Sequence, residues 1–228
     1  QGKIDDHQIQ FILNNGKAEF RDATVLLLPH LPAGIEGTSF ADYNGDGVID
    51  IFLVYGIGRN RLLINNGLGK FTDRTGDLLP EIVGQSRFAD WADFDLDGDN
   101  DLLVVNHSLD PKSRSFDDEY SYALVNNGSG YFRKGPLRVL PRRASRAVYL
   151  LDANGNGIPD MIILSDQGVH YLRGLGKWRF LKESRKRLPF NVDFDELTFA
   201  DVNADGHLDL FGISRKDGRG RLWLNTFE

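Results

Sequence analysis

The sequence contains no cysteine, which excludes a disulfide framework, thiolate zinc sites, iron–sulfur clusters and a cysteine nucleophile together. It also lacks any apolar run near the roughly 18 residues that a membrane-crossing helix needs, so no membrane span is expected. The five histidines, His7, His30, His107, His170 and His207, have no metal-binding spacing. No serine or acid pair sits in a recognisable catalytic setting, so no enzymatic activity is expected. An excess of positive charge is missing too. Lys and Arg total 27 against 33 for Asp and Glu, a formal charge of −6, which argues against a nucleic-acid partner. Proline is sparse at 8 residues and there is one methionine, while glycine reaches 25 and aromatics 11%, a mixture that suits short strands and tight turns better than long helices. Hydrophobic residues at 41% and charged residues at 26% are those of a folded globular chain, and 228 residues can bury a sizeable core. The opening residues are polar and lack a starting methionine, as in a processed or trimmed chain.

One acidic segment occurs four times: Asp42-Tyr-Asn-Gly-Asp-Gly-Val-Ile-Asp50, Asp93-Phe-Asp-Leu-Asp-Gly-Asp-Asn-Asp101, Asp152-Ala-Asn-Gly-Asn-Gly-Ile-Pro-Asp160 and Asp201-Val-Asn-Ala-Asp-Gly-His-Leu-Asp209. Successive first aspartates are 51, 59 and 49 residues apart, a period that marks propeller blades or solenoid units. Each acidic segment is followed by a short apolar run: Ile51 to Tyr55, Leu102 to Val105, Met161 to Leu164 and Leu210 to Ile213. A second run ends in a turn at Leu62-Leu-Ile-Asn-Asn-Gly67, Ala123-Leu-Val-Asn-Asn-Gly128, Tyr171-Leu-Arg-Gly174 and Leu222-Trp-Leu-Asn225, and Asn-Gly after alternating hydrophobics is a hairpin signal. A strand around Phe71, Phe132 or Phe180 follows, then a Leu-Pro connection at Leu79-Pro80, Leu140-Pro141 or Leu188-Pro189. Phe40-Ala41, Trp91-Ala92 and Phe199-Ala200 close the strand before the loop. The unit is therefore strand A, acidic loop, strand B, strand C, Asn-Gly turn and strand D, four antiparallel strands that describe a propeller blade.

The expected fold is all-β: a small β-propeller of four such blades plus an N-terminal pair of strands C and D from Phe11 to Leu28, giving four or five blades, or else part of a larger propeller. One domain over 1–228 is expected, with units at about 1–37 (partial), 38–86, 87–146, 147–196 and 197–228. The last unit stops after strand C, so the N-terminal strand D is expected to complete it and close the ring, leaving one strand C unplaced.

Positions 1, 3, 5 and 9 of each loop carry Asp or Asn, position 6 is Gly, and the carbonyl of position 7 is free to turn inward. Ca²⁺ takes six to eight oxygens, and alternate residues of a tight loop can surround such an ion. The candidate ligands are Asp42, Asn44, Asp46, Val48 and Asp50; Asp93, Asp95, Asp97, Asp99 and Asp101; Asp152, Asn154, Asn156, Ile158 and Asp160; and Asp201, Asn203, Asp205, His207 and Asp209. An EF-hand would need Glu at position 12, where Leu53, Val104, Ile163 and Gly212 stand inside the following strand, so that reading is rejected. About four Ca²⁺ are expected, and they would turn the formal charge of −6 into +2.

These acidic loops and Leu-x-Asn-Asn-Gly strands resemble the FG-GAP or VCBS repeat, the calcium-binding blade of integrin α-subunit propellers and of many bacterial secreted and surface proteins. The resemblance covers nearly the whole chain. It implies a β-propeller with calcium in the loops between strands A and B, and a role in recognition or adhesion without catalysis. The Phe-Gly and Gly-Ala-Pro signatures are not intact here, which brings the chain nearer the bacterial VCBS style. Propellers of this kind commonly have about seven blades.

Unit two carries about ten extra residues between strands B and C, and this stretch holds Phe116, Asp117, Asp118, Glu119 and Tyr120, aromatics and acids typical of recognition loops. It is expected to bind the ligand, on the face opposite the acidic loops. A basic flank from Arg133 to Arg187 is a second surface for an anionic partner. The function expected is extracellular recognition or adhesion towards a protein or glycan, by a secreted, cell-surface or periplasmic protein. The alternative is a self-assembling surface or filament protein joined by strand complementation between chains.

Overall fold

The computed structural model describes residues 9–106, 121–136, 145–165, 168–188, 194–214 and 216–225. A hairpin of β1 (Ile12–Asn14) and β2 (Phe20–Asp22), followed by the single-turn helix α1 (Thr24–Leu27), precedes four blades. Blade one is β3 (Ile35–Ala41), β4 (Asp50–Tyr55), β5 (Arg61–Asn65) and β6 (Phe71–Asp73), after which comes α2 (Thr75–Leu78). Blade two is β7 (Ser86–Ala92), β8 (Asp101–Asn106), β9 (Tyr122–Asn126) and β10 (Phe132–Lys134). Blade three is β11 (Ser145–Leu151), β12 (Asp160–Ser165), β13 (Gly168–Gly174) and β14 (Phe180–Lys182), with α3 (Ser184–Arg187) behind it. Blade four has β15 (Glu196–Ala200), β16 (Asp209–Ser214) and β17 (Arg219–Trp223). Each blade is an up-and-down antiparallel sheet in chain order, the arrangement of a four-bladed β-propeller.

Strand B of the first three blades is buried at every residue, Asp50–Tyr55, Asp101–Asn106 and Asp160–Ser165 alike. A sheet covered on one face alternates buried and exposed side chains, whereas continuous burial means that both faces are covered. Neighbouring blades supply the cover. Phe52, Val54 and Leu62 of blade one meet Leu102, Val104 and Leu124 of blade two. Leu103, Val105 and Ala123 of blade two meet Met161, Ile163 and Leu172 of blade three. Ile162, Leu164 and Tyr171 of blade three meet Leu197, Leu210 and Trp223 of blade four. The N-terminal segment covers the remaining face of blade one, through Phe11, Leu28 and Leu31 against Ile51, Leu53 and Phe71.

The N-terminal strand D does not complete blade four. It pairs with its own strand C, Asn14 opposite Phe20 and Ile12 opposite Asp22, so the leftover strand C is its hairpin partner, and blade four is three-stranded among the described residues. A hairpin closed by a five-residue turn costs far less loop entropy than a closure spanning the whole chain. The helical turns before Leu28-Pro29, Leu79-Pro80 and Leu188 were not expected from the sequence. They form because Thr24, Thr75 and Ser184 place a hydroxyl oxygen where it accepts an N–H in or next to strand C, from Phe11, Leu62 and Tyr171 at 2.8, 2.9 and 3.0 Å.

Every junction between blades carries the same polar tether. The backbone carbonyl at loop position 2 accepts a hydrogen bond from the next blade: Tyr43 from Asn126 Nδ2 (2.6 Å), Phe94 from Trp178 N (3.2 Å) and Ala153 from Asn225 Nδ2 (2.8 Å). Blade three uses Trp178 because Gly174 stands where its sisters have Asn, and a Cβ there would lie 2.2 Å from the carbonyl oxygen of Pro159. Asn126 is buried and its amide also reaches the Asn100 carbonyl, so Asn126→Ala strands two acceptors and is expected to cost about 1–3 kcal/mol. Asn65→Ala loses a donation to the Ile49 carbonyl and the acceptance of the Gly67 and Gly69 N–H groups, all within its own blade and none across a junction, and should cost less. Urea denaturation of the two variants checks this, and an equal or reversed ranking would show that the tether does not join blades one and two.

Candidate metal centres in the strand-to-strand loops

All four acidic loops share one backbone framework. The position 1 carboxylate accepts the N–H groups of positions 5 and 6: Asp42 from Asp46 and Gly47 (3.0 and 2.8 Å), Asp93 from Asp97 and Gly98 (3.1 and 2.9 Å), Asp152 from Asn156 and Gly157 (3.0 and 2.6 Å), Asp201 from Asp205 and Gly206 (3.1 and 2.9 Å). Position 5 then accepts from position 7, so Asp46, Asp97, Asn156 and Asp205 hold the N–H of Val48, Asp99, Ile158 and His207. Two residues per loop are left-handed. Glycine meets that need at position 6 everywhere, but at position 4 Leu96 and Ala204 adopt φ of 66° and 59°, a strained choice for residues with a Cβ.

Position 9 does more than the sequence indicated. Asp50, Asp101, Asp160 and Asp209 begin strand B, are buried, and accept through Oδ1 the N–H of the last residue of strand C or, in blade four, of the residue two positions beyond it: Asn65, Asn126, Gly174 and Asn225, at 2.8, 2.8, 2.6 and 2.7 Å. The aspartate thus ties loop, strand B and strand C together, with its second oxygen turned to the loop. Burial pushes the Asp50 carboxyl up to about 6, and the neighbouring Asp46 and Asp42 add to this, while the Asn65 N–H opposes it. Burial likewise raises Asp101 to about 7, with Asn126 N–H opposing and Asp95 adding. Carboxylates held this way are poorly compensated by the protein alone.

Loop two gathers its oxygens most tightly. One carboxylate oxygen from each of Asp93, Asp95 and Asp101 lies within 4.8 Å of the others. Desolvation, followed by the nearby Asp97 charge, raises the Asp95 pKa. The Trp178 indole N–H lies close enough to favour charged Asp95 but closes no hydrogen bond of normal geometry, so Asp95 Oδ1 and Trp178 Nε1 are both buried without a partner. Three converging carboxylates, one of which has an oxygen without a partner, fit a calcium ion by their chemistry.

Loop three is built differently. Asp160 accepts from Gly174 N at Oδ1, and its Oδ2 accepts from Tyr171 OH (2.8 Å), Asn154 Nδ2 (3.0 Å) and Ala153 N (3.2 Å). Burial and donation to Asp160 hold the Tyr171 hydroxyl well above the usual tyrosine range. Protein donors therefore occupy the Asp160 lone pairs, and this loop fits a cation least well. In loops one and four the position 3 amide turns to position 5 instead, Asn44 to Asp46 at 2.9 Å and Asn203 to Asp205 at 2.8 Å.

The segment with Phe116, Asp117, Asp118, Glu119 and Tyr120 lies outside the described residues, but its ends do not: the Asn106 N–H donates to Ser121 Oγ at 3.1 Å. Asn106 Oδ1 accepts from Ser86 Oγ (2.8 Å), and Ser86 in turn accepts from Asn60, which also donates to Tyr122 OH (2.9 Å). This buried network, which sequence reasoning missed, underlies a cleft of about 270 Å³ lined by Ala33, Gly34, Glu36, Gly56, Ile57, Gln85, Ser86 and Arg87. The cleft adjoins Ile35 and Tyr55, the end of blade one opposite the Ala41–Asp50 loop.

Antiparallel blades with oxygen-rich loops between strands A and B define the class of loop-bearing repeat propellers. The chain belongs to the FG-GAP-like repeat family, whose pattern matches residues 4–53, 42–104 and 152–212. No curated protein sequence matches it. Among solved structures, it is similar to an Agrocybe aegerita lectin that recognises non-reducing terminal N-acetylglucosamine, at 18% identity over 96% of this chain and 75% of that one, TM-score 0.42. It is also similar to the V. cholerae biofilm matrix protein Bap1, at 21% identity over 85% of this chain and 30% of that one, TM-score 0.42. A third similar structure is the Photorhabdus luminescens Tc holotoxin pore, at 21% identity over 89% of this chain and 9% of that one, TM-score 0.51.

Tyr171→Phe removes one donor from buried Asp160 and is expected to lower stability by about 1–3 kcal/mol, read as a shift in the denaturant midpoint. An unchanged midpoint would show that the clamp contributes nothing.

Proposed function

We propose that the protein is a calcium-stabilised, non-enzymatic propeller that recognises a protein or glycan outside the cell or in the periplasm. The observation that carries the metal reading is the loop two cluster, where Asp93, Asp95 and Asp101 converge and Asp95 Oδ1 is buried without a partner. A bound ion would draw its ligands from positions 1, 3, 5 and 9 and the carbonyl of position 7, neutralise the crowded carboxylates and lock strands A and B. Such loops suit a calcium-rich compartment.

Affinity in oxygen-ligand loops rises with carboxylate count. Loop two, with Asp93, Asp95, Asp97 and Asp101, ranks first; loops one and four follow with three carboxylates each; loop three, with Asp152 and Asp160, ranks last. A single site at a hundredfold excess of calcium over Kd adds about 2.7 kcal/mol, so excess chelator should lower the melting temperature. Asp95→Ala should remove much of the calcium-dependent gain, and Asn154→Ala almost none. A melting curve indifferent to chelator, or a larger loss at Asn154, would overturn this reading.

Ligand recognition is assigned to the face opposite the loops. The Glu36–Arg87 cleft opens there, and the long connection of blade two leaves from Asn106 above the polar network that underlies it. Arg87→Ala, and shortening 107–121 to the blade one length, should leave melting largely intact while abolishing retention of any glycan or protein captured by the wild type on an array. Normal retention by both variants would move the recognition surface elsewhere.

A further inference from the structure

In three of the four acidic loops the residue at position 3 is asparagine, and its amide donates to a neighbouring carboxylate: Asn44 to Asp46, Asn154 to Asp160 and Asn203 to Asp205. Loop two has Asp95 there, and an ionised carboxylate only accepts. It brings no donor of its own. The donor that faces Asp95 comes from blade three: the indole N–H of Trp178, in the turn between β13 and β14. Trp178 is 7% exposed, and its Nε1 is buried without a partner, as is Asp95 Oδ1.

The turn departs from its sisters to bring the indole there. Gly174 pairs with Phe180 as Asn65 pairs with Phe71 and Asn126 with Phe132, so the residues between them correspond one to one. At the place of Trp178 stand Gly69 in blade one and Gly130 in blade two, left-handed at φ of 81° and 80°. Trp178 keeps that conformation at 58°, and Lys177 before it is left-handed at 52°. A residue with a Cβ adopts it at a cost that other contacts must outweigh.

Loop two makes the matching departure. Leu96 at position 4 is left-handed where loops one and three have Gly45 and Gly155, and it lies over Gly176, where a Cβ would come within 2.8 Å of Leu96 Cδ1. The Trp178 backbone N–H donates to the Phe94 carbonyl at 3.2 Å, and its ring stacks on Phe94 with centroids 4.5 Å apart. Stack, backbone bond and the Leu96–Gly176 contact together fix the indole beside Asp95.

We propose that Trp178 is a positioning residue of the loop two cation site: its indole N–H holds one oxygen of Asp95, so that the other is presented with Asp93 and Asp101 to a divalent cation. The inference rests on the calcium reading of loop two. Hydrogen bonds from outside the ligand set orient ligating carboxylates, and losing one costs about 10- to 100-fold in metal affinity. Because Asp95 belongs to blade two and Trp178 to blade three, a cation in loop two also fastens the junction between those blades.

The test is calcium titration by calorimetry of the wild type, Asp95→Ala and Trp178→Phe, the last of which keeps an aromatic ring against Phe94 and removes the N–H. Trp178→Phe should weaken by about 10- to 100-fold the site that Asp95→Ala abolishes, and leave the other sites unchanged. In a nitrogen-15 NMR spectrum, one of the three indole N–H signals, from Trp91, Trp178 and Trp223, should move when calcium is added and be absent from Trp178→Phe. Should that variant fail to fold, β-(3-benzothienyl)alanine in place of Trp178 keeps the shape of the indole and removes only the donor. Wild-type calcium affinity in the variant, even with a lower melting temperature in chelator, or a Trp178 indole signal unmoved by calcium, would overturn the role of Trp178 and leave the calcium reading standing. A wild type with no Asp95-dependent calcium site would overturn both.

Discussion

The structure turns on the aspartate at the start of each strand B. Asp50, Asp101, Asp160 and Asp209 sit where loop, strand B and strand C meet, and each holds a strand C N–H with one oxygen while directing the other into the loop. A buried carboxylate is tolerated only when its lone pairs are taken up. In blade three, protein donors take them up: Tyr171, Asn154 and two backbone N–H groups satisfy Asp160. In blade two the corresponding region keeps three carboxylates converging and one oxygen unpartnered. The same anchor thus supports two electrostatic solutions, one internal and one that calls for a cation.

The anchor also sets how blades meet. By fixing the loop against strand C, it holds the position 2 carbonyl at the blade edge, where the next blade's Asn or Trp178 reaches it. The apolar faces then close around this polar point: Phe94 stacks on Trp178 with ring centroids 4.5 Å apart, and Tyr43 on Phe132 at 5.7 Å. Directional hydrogen bonds define the angle between sheets, and the nondirectional burial of Leu, Val and Ile supplies most of the free energy.

Much of this was legible in the sequence. The repeated acidic loop, the apolar run after it and the Asn-Gly hairpin fix strands B, C and D, because turn chemistry and short apolar runs are local properties. The candidate ligands at positions 1, 3, 5 and 9 follow from the same spacing. The helical turns before the Leu-Pro connections escaped because Thr24, Thr75 and Ser184 act through hydroxyl bonds to residues about 13 positions away. The ring closure expected from complementary ends also failed, since a local hairpin outcompetes a remote pairing of equal strand quality.

By itself, then, the sequence determined the blade, its loops and their oxygen-rich character, all of which repeat within about 50 residues. Tertiary structure alone decided which carboxylates converge. Loops two and three share one spacing and differ in carboxylate count, but only the fold brings Trp178 to within reach of Asp95, and Tyr171 onto Asp160. It likewise decided burial, because Phe52 and Phe211 hold the same place in the repeat, yet Phe52 is buried against blade two and Phe211 is 36% exposed. Burial and lone-pair saturation depend on partners distant in the chain, and local residue patterns do not encode them.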